Sequence, residues 1–516
     1  MTQTAGGRRR RYFLAAVAGV APAALVLGGI QVADAATTPP APISIVAAAK
    51  SVTAQRFVDG KHGVVELNLG VNIVAGNSPL EIHTTRKSYA DPIVAEQVTN
   101  EGPGRPLPAG TVTDFSGLKR FTTITIKNAK GATVKKYETD FCANAWNSIR
   151  TRPDAPAQTP YPRGCFDGNP FTLGAVWGIQ AGWTAQTTDS PARGNLDLPL
   201  GKYTVTVTLN PVYQKFFQVP ANAATATVQL TVVKPTVEAD RVRSAQARAH
   251  AAHHGHGARQ ISSYLPQYRP AAKRPAAKHV PNGGPRPDLR SLPAWGISLE
   301  QGRNAKTGKP NGKWYVNFGA TVWNAGSSPL LVDGFRRSGS DVMDAYQYFF
   351  DAKGNQVGSP AAGTMAWDAR KGHEHWHFTD FAQYNLLRAD LKQVVRSGKE
   401  SFCLANTDAV DFTVPGAKWR PDNTDLETSC GEKTAMGVRE VLDIGSGDTY
   451  GQDRPGQNFE VTGLPNGTYY VQVKANPVGK LAETSTANNT SLRKIVLGGT
   501  AKKRTLTVPP VNGIKG

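Results

Sequence analysis

Residues 315–332 read YVNFGATVWNAGSSPLLV, and residues 65–82 read VELNLGVNIVAGNSPLEI. In each, apolar and polar side chains alternate up to a small-residue turn that ends in Ser-Pro-Leu. Such alternation marks a half-buried strand. Two more pairs of blocks repeat in the same order. ETDFCANAW (138–146) lines up with KESFCLANT (399–407), and LPLGKYTVTVTLNP (198–211) with LPNGTYYVQVKANP (464–477). Three blocks in register argue for an internal duplication. The expected fold is therefore mainly β: two tandem β-sandwich-like domains with long loops and few helices, at residues 36–234 and 286–500. Residues 501–516 read as a C-terminal tail. The segment FAQYNLLRADLKQVV (381–395) fits a strand and a helix equally well.

Between the repeats, residues 235–285 change character. They are rich in Ala, Pro, Arg, Lys and His and lack strand alternation, which predicts a basic linker. Its His250, His253, His254 and His256 read as a solvated tract, with adventitious metal binding as the alternative. Over all 516 residues, Lys and Arg number 59 and Asp and Glu 39, a net charge of +20. That excess suits an anionic partner such as cell wall or matrix. No zinc-finger spacing or aromatic RNA-binding signature accompanies it, so nucleic acid is not expected.

The N-terminus, GRRRRYFLAAVAGVAPAALVLGGIQVADAATT, has a basic start, an apolar run and Ala33-Asp34-Ala35. This predicts a secretory signal peptide over residues 1–35. Arg10-Arg11 leaves a twin-arginine variant open, and an uncleaved anchor is the alternative. No later segment is apolar enough to span a bilayer as a helix. Export makes disulfides plausible, and the simplest pairing of the four cysteines is local: Cys142–Cys165 and Cys403–Cys430.

One stretch stands apart: KGHEHWHFTDF, residues 371–381. His373, His375 and His377 are the only histidines after residue 285. On a strand all three would share a face. In a straight strand the outer two would lie about 13 Å apart, so one ion could take all three only where the backbone curls. The spacing thus predicts an irregular turn and a metal site. Three imidazoles without a thiolate suit Cu(II), Zn or Fe, and spacing alone does not choose.

HEHWHFTDFAQYNLL resembles the copper-binding segment of the lysyl oxidases. GKESFCL (398–404) resembles the family's cofactor-lysine segment, which places Lys399, and GDTYGQ (447–452) its cofactor-tyrosine segment, which places Tyr450. The resemblance covers about residues 286–497. It implies Cu(II) on the three histidines and a built-in lysyl tyrosylquinone formed from Lys399 and Tyr450. It also implies a secreted copper amine oxidase that converts peptidyl-lysine or other primary amines to aldehydes with O2, releasing H2O2 and NH3. Asp448, two residues before Tyr450, is the candidate base, and a local turn carboxylate is its bland reading. This chain offers fewer disulfides than the animal enzymes.

The internal alignment predicts a first copy without that chemistry. Thr113, Phe115 and Gly117 stand where the histidines are, Glu138 stands for Lys399, and Ala185 for Tyr450. His62 and His83 are too far apart in sequence to restore a site by local spacing. The rival reading of the whole chain is a wall-associated two-domain metal-binding protein without turnover. A zinc hydrolase is a third, but Glu374 alternates with the histidines and would face away from them.

Overall fold

The alternation seen in the sequence becomes the fold's organising period. In Gly201–Leu209, Tyr203, Val205, Val207 and Leu209 are buried while the threonines between them are partly exposed. In Gly467–Ala475, Tyr469, Val471, Val473 and Ala475 are buried in the same way. Each such apolar side chain contributes about 1.5–3 kcal/mol on burial, and a one-residue slip would turn the whole set to water.

The protein is described here by a computed structural model. It describes residues 43–59, 62–99, 103–144, 148–165, 168–189, 191, 196–236, 274–276, 278–304, 306–370, 374–398, 401–420, 430–452 and 458–515; the side chains of Asp59 and His62 are also outside the description. The stretch read as a signal peptide, most of the one read as a linker, His373 and Lys399 thus lie outside the described residues. The fold is mainly β. The one helix among the described residues, Pro211–Phe217, starts on a proline and buries Tyr213 and Phe217.

Three sheets build each half. In the first half, one sheet runs Ile43–Ala47, Val71–Ala75, Trp183–Gln186, Ile149–Arg150. In the second half its counterpart runs Leu289–Ser291, Pro310–Asn324, Ser446–Gln452, Asp408–Ala409. The other two sheets repeat in the same way. Gly174–Ile179, Leu80–Thr85, Val94–Val98 and Arg105–Pro106 parallel Gly437–Leu442, Leu330–Arg336, Val342–Phe350 and Ala361–Asp368. Thr225–Val233, Gly201–Leu209, Leu118–Asn128 and Thr133–Phe141 parallel Thr490–Thr500, Gly467–Ala475, Ala382–Arg388 and Gln393–Arg396. Each half buries one main apolar core between its three sheets. Both local disulfides are present, with Cα atoms 5.9 Å apart in Cys142–Cys165 and 5.7 Å in Cys403–Cys430.

Several ambiguous segments take definite form. Residues 381–395 make a hairpin, Ala382–Arg388 pairing with Gln393–Arg396 across a turn in which Leu391 adopts φ +62°. The end of the linker docks on the second half: Arg274 pairs with Asp344, and the Lys278 N–H donates to the Ser359 carbonyl. The stretch read as a tail carries a strand, Lys503–Thr507, hydrogen-bonded to Thr490–Thr500. Val511 and Ile514 pack beside Phe171 and Trp323 in a small cluster that joins the halves.

Two buried carboxylates inside the second half are well matched, those of Asp333 and Glu483. Arg439 and Asp333 face each other across adjacent strands and form a buried two-pronged pair at 2.6 and 2.7 Å. Glu483 accepts from Asn476, Asn489 and the Leu289 N–H, tying the connection 476–489 to the strand Leu289–Ser291.

Two expectations follow. Arg439→Ala should lower unfolding stability in denaturant by about 3–5 kcal/mol, because it leaves the Asp333 carboxylate buried without its guanidinium. Asp189 in the first half is pushed up to about 6 by burial, against hydrogen bonds from the Leu69 N–H and the Thr187 hydroxyl. A raised carboxyl pKa stabilises the fold fully below the unfolded value of about 4, and that stability is lost as pH rises through about 6. Thermal melts should therefore show Asp189→Asn gaining on the parent between about pH 4 and 6, by on the order of 3 kcal/mol.

Candidate metal and cofactor site

His375–Thr379 is a regular antiparallel strand against Ala361–Asp368, with His375 opposite Asp368 and His377 opposite Ala366. The irregularity expected over the whole histidine stretch is not found at residues 375–377. It sits just before them, at Glu374, whose φ is +24°. The pairing explains this: Trp376 buries its ring on the opposite side, where its N–H donates to the Cys430 carbonyl and its indole N–H to the Glu432 carbonyl. Anchored there, Trp376 fixes the pleat and sends both imidazoles to one face.

The two rings meet edge to face with centroids 4.6 Å apart. An imidazole nitrogen about 2.0–2.1 Å from a metal puts its ring centroid about 3.2 Å away. Two adjacent ligands of one ion then have centroids about 4.5–5 Å apart, so this pair fits a shared ion. Among the described residues, no group of three or more His, Cys, Asp or Glu side chains forms a complete cage. The third histidine, His373, is outside them.

Sequence reasoning missed the groups behind the imidazoles. The buried His377 ring holds Nδ1 3.4 Å from both Asp368 Oδ2 and Ser401 Oγ. Burial works against the charge on Asp368, but Arg370 grips both carboxylate oxygens and His377 stands near. Together they hold the carboxyl well below its usual range. A carboxylate facing Nδ1 favours the proton there and leaves Nε2 its lone pair for a metal. Only strand register reveals Asp368, since nothing in its own neighbourhood of sequence marks it.

Tyr450 arrives from another sheet. Ser446–Gln452 pairs with Pro310–Asn324, Tyr450 opposite Ala320 and Asp448 opposite Val322. The period of two puts Asp448 and Tyr450 on the same inward face, and both are buried. The Tyr450 hydroxyl donates to the Cys403 carbonyl, and its ring meets the edge of Phe402 at 4.9 Å. Burial first, then the Asp448 and Glu440 carboxylates, push the phenol well above its ordinary value.

Ser401–Phe402 connects the two groups. It pairs with Thr379 and Phe378 at the end of the histidine strand, while Phe402 and Cys403 contact Tyr450. The Cys403–Cys430 bridge closes the arrangement, because the carbonyl of one half-cystine takes the Tyr450 hydroxyl and that of the other takes the Trp376 N–H. Lys399, two peptide links before Ser401, is outside the described residues.

The corresponding positions of the first half carry other chemistry. Thr113 is exposed and bonded to Asp114, and Phe115 is in the core. Gly117 has φ +122° and lies so close to the Phe141 carbonyl that a Cβ would collide with it. Glu138 bonds to Asn210, and Ala185 faces inward opposite Ile73. His83 is engaged by Glu81.

Comparison with known proteins agrees with this geometry. The lysyl oxidase family model matches residues 342–505, a span that holds the histidine, Ser401–Cys403 and Tyr450 segments. The chain is similar to lysyl oxidase homolog 4 of Mus musculus, 30% identical over 131 residues, which is 25% of this chain and 15% of that protein. It is also similar to lysyl oxidase homolog 3B of Danio rerio, 30% identical over 25% of this chain and 14% of that one. Lysyl oxidase homolog 3 of Homo sapiens is 28% identical over 25% and 15%. The chain thus spans about 15% of the length of these relatives. Within the C-terminal half, residues 342–505 are thus a segment of the lysyl oxidase family type.

Proposed function

We propose that the protein is a secreted copper amine oxidase of the lysyl oxidase type, acting on peptidyl-lysine or other primary amines. The observation that carries this reading is the convergence at Ser401–Cys403: one short segment, two links after Lys399, touches both the histidine strand and the Tyr450 ring. Copper on His373, His375 and His377, with O2, would supply the oxidation that joins Tyr450 and Lys399 as lysyl tyrosylquinone, the electron acceptor for turning an amine into an aldehyde with release of H2O2 and NH3.

The chain's own residues prepare that chemistry. Asp368 orients His377 through Nδ1, and Trp376 fixes the strand that carries both imidazoles. Phe402 and the Cys403 carbonyl hold the Tyr450 ring in one orientation. Asp448, buried on the same face, would accept the substrate's α-proton at its carboxylate. Burial around Tyr450 keeps bulk water from competing. The basic linker, residues 235–285, would hold the enzyme on an anionic wall or matrix.

Phenylhydrazine added to copper-loaded protein should give a coloured adduct. Tyr450→Phe and Lys399→Ala should stay colourless with copper retained, whereas His377→Ala should lose copper. Asp448→Asn should keep the adduct and lose about 10²–10⁴-fold in amine turnover; unchanged turnover and pH profile would remove Asp448 as the base. A colourless, fully copper-loaded parent would overturn the oxidase reading in favour of metal binding without turnover.

A further inference from the structure

We propose that the first half of the chain positions the tyrosine strand of the second half, and that Asn169 is the positioning residue. This rests on the oxidase reading above and deepens it.

Thr449 and Tyr450 are neighbours on one strand, so they point to opposite faces. Tyr450 faces its own core; Thr449 faces the first half. There the Asn169 amide donates to Thr321 Oγ1 at 3.0 Å and to Asp408 Oδ2 at 3.2 Å. The Thr321 and Thr449 hydroxyls are 2.6 Å apart, and the Thr449 hydroxyl also donates to Asp408. Thr321 is 0% exposed although it points away from the core of its own half. Asn169 of the first half covers it together with Trp295 of its own half, whose indole N–H donates to Thr321 Oγ1 at 3.1 Å.

Main-chain contacts surround this network. The Leu173 N–H donates to the Val410 carbonyl at 2.7 Å, and the Phe412 N–H donates to Gly174 at 2.9 Å. A Cβ at Gly174 would lie 2.3 Å from Asp411, so glycine allows the approach. Asp408–Ala409 in turn pairs with Ser446–Gly447 of the tyrosine strand. Phe171 fills the apolar cluster with Trp323 and Val410. The strand that presents Tyr450 is therefore clamped from behind by residues 169–174. A reacting ring has to be held to within about 0.5 Å, and this clamp fixes the strand's depth relative to Cys403 and His377.

The experiment follows quinone formation, by phenylhydrazine titration over time, after copper is added to the full-length chain. Asn169→Asp sets a second carboxylate against Asp408, and like charges at that distance repel. Maturation should slow about tenfold or more at unchanged copper content in protein that stays folded at the assay temperature, and the exchange Asn169→Asp with Asp408→Asn should restore it. Thr449→Val, which keeps the side chain's shape, should also slow it and serves if Asn169→Asp does not fold. Maturation at the parent's rate in either folded single variant would overturn the proposal. Loss of copper and of fold together in both single variants would also overturn it, as a general stabilising role. A parent that binds copper but forms no quinone would overturn both this proposal and the oxidase reading.

Discussion

The hydrogen bond from the Tyr450 hydroxyl to the Cys403 carbonyl is the constraint around which the site is built. Together with the Phe402 ring contact and the Asn324 amide bond to the Leu442 carbonyl, it joins two sheets. The carbonyl is itself fixed, because Cys403 is bonded to Cys430, and Cys430 holds the backbone of the histidine strand at Trp376. A bridge closing a loop of this length, 27 residues of sequence separation, removes about 3–4 kcal/mol of unfolded-state entropy in the chain-entropy view. Here it also couples two carbonyl acceptors, one for the phenol and one for the strand that aims the imidazoles.

Much of this was legible in the sequence, and what was not has a physical reason. Alternation identified the strands because each has one face on a core. The histidine stretch stood out in the sequence, but its local shape did not. The straight-strand distance argument spread the irregularity over five residues, while the buried Trp376 keeps residues 375–377 regular and a positive φ falls at Glu374. Asp368 and Ser401 were invisible because they reach His377 through register, and register is set by partners that sequence spacing does not name. The hairpin at 382–396 was ambiguous because its apolar residues suit both periods. Pairing with Gly467–Ala475 decides for strand.

The contact between the halves was hidden for a related reason. Thr321, Trp323 and Thr449 occupy the alternate positions that a lone half would give to water, and nothing in their identity says otherwise. Only the structure shows that Phe171 and Asn169 cover them. The first half carries other side chains at the positions that correspond to the site, yet it keeps the same sheet order. It has retained a shape that can lie against the other half.

The amide of Asn169 and the carboxylate of Asp408 are separated by 239 residues. Closing so long a loop costs little more than closing one half as long, since each doubling adds only about 0.6 kcal/mol. The intervening length is thus tolerable at equilibrium, but contacts of this separation form slowly. Each half can complete its own disulfide and core from nearer contacts before the two meet. If contacts form in order of their separation, the back of the tyrosine strand is completed after either half's own core, and the site waits on that closure.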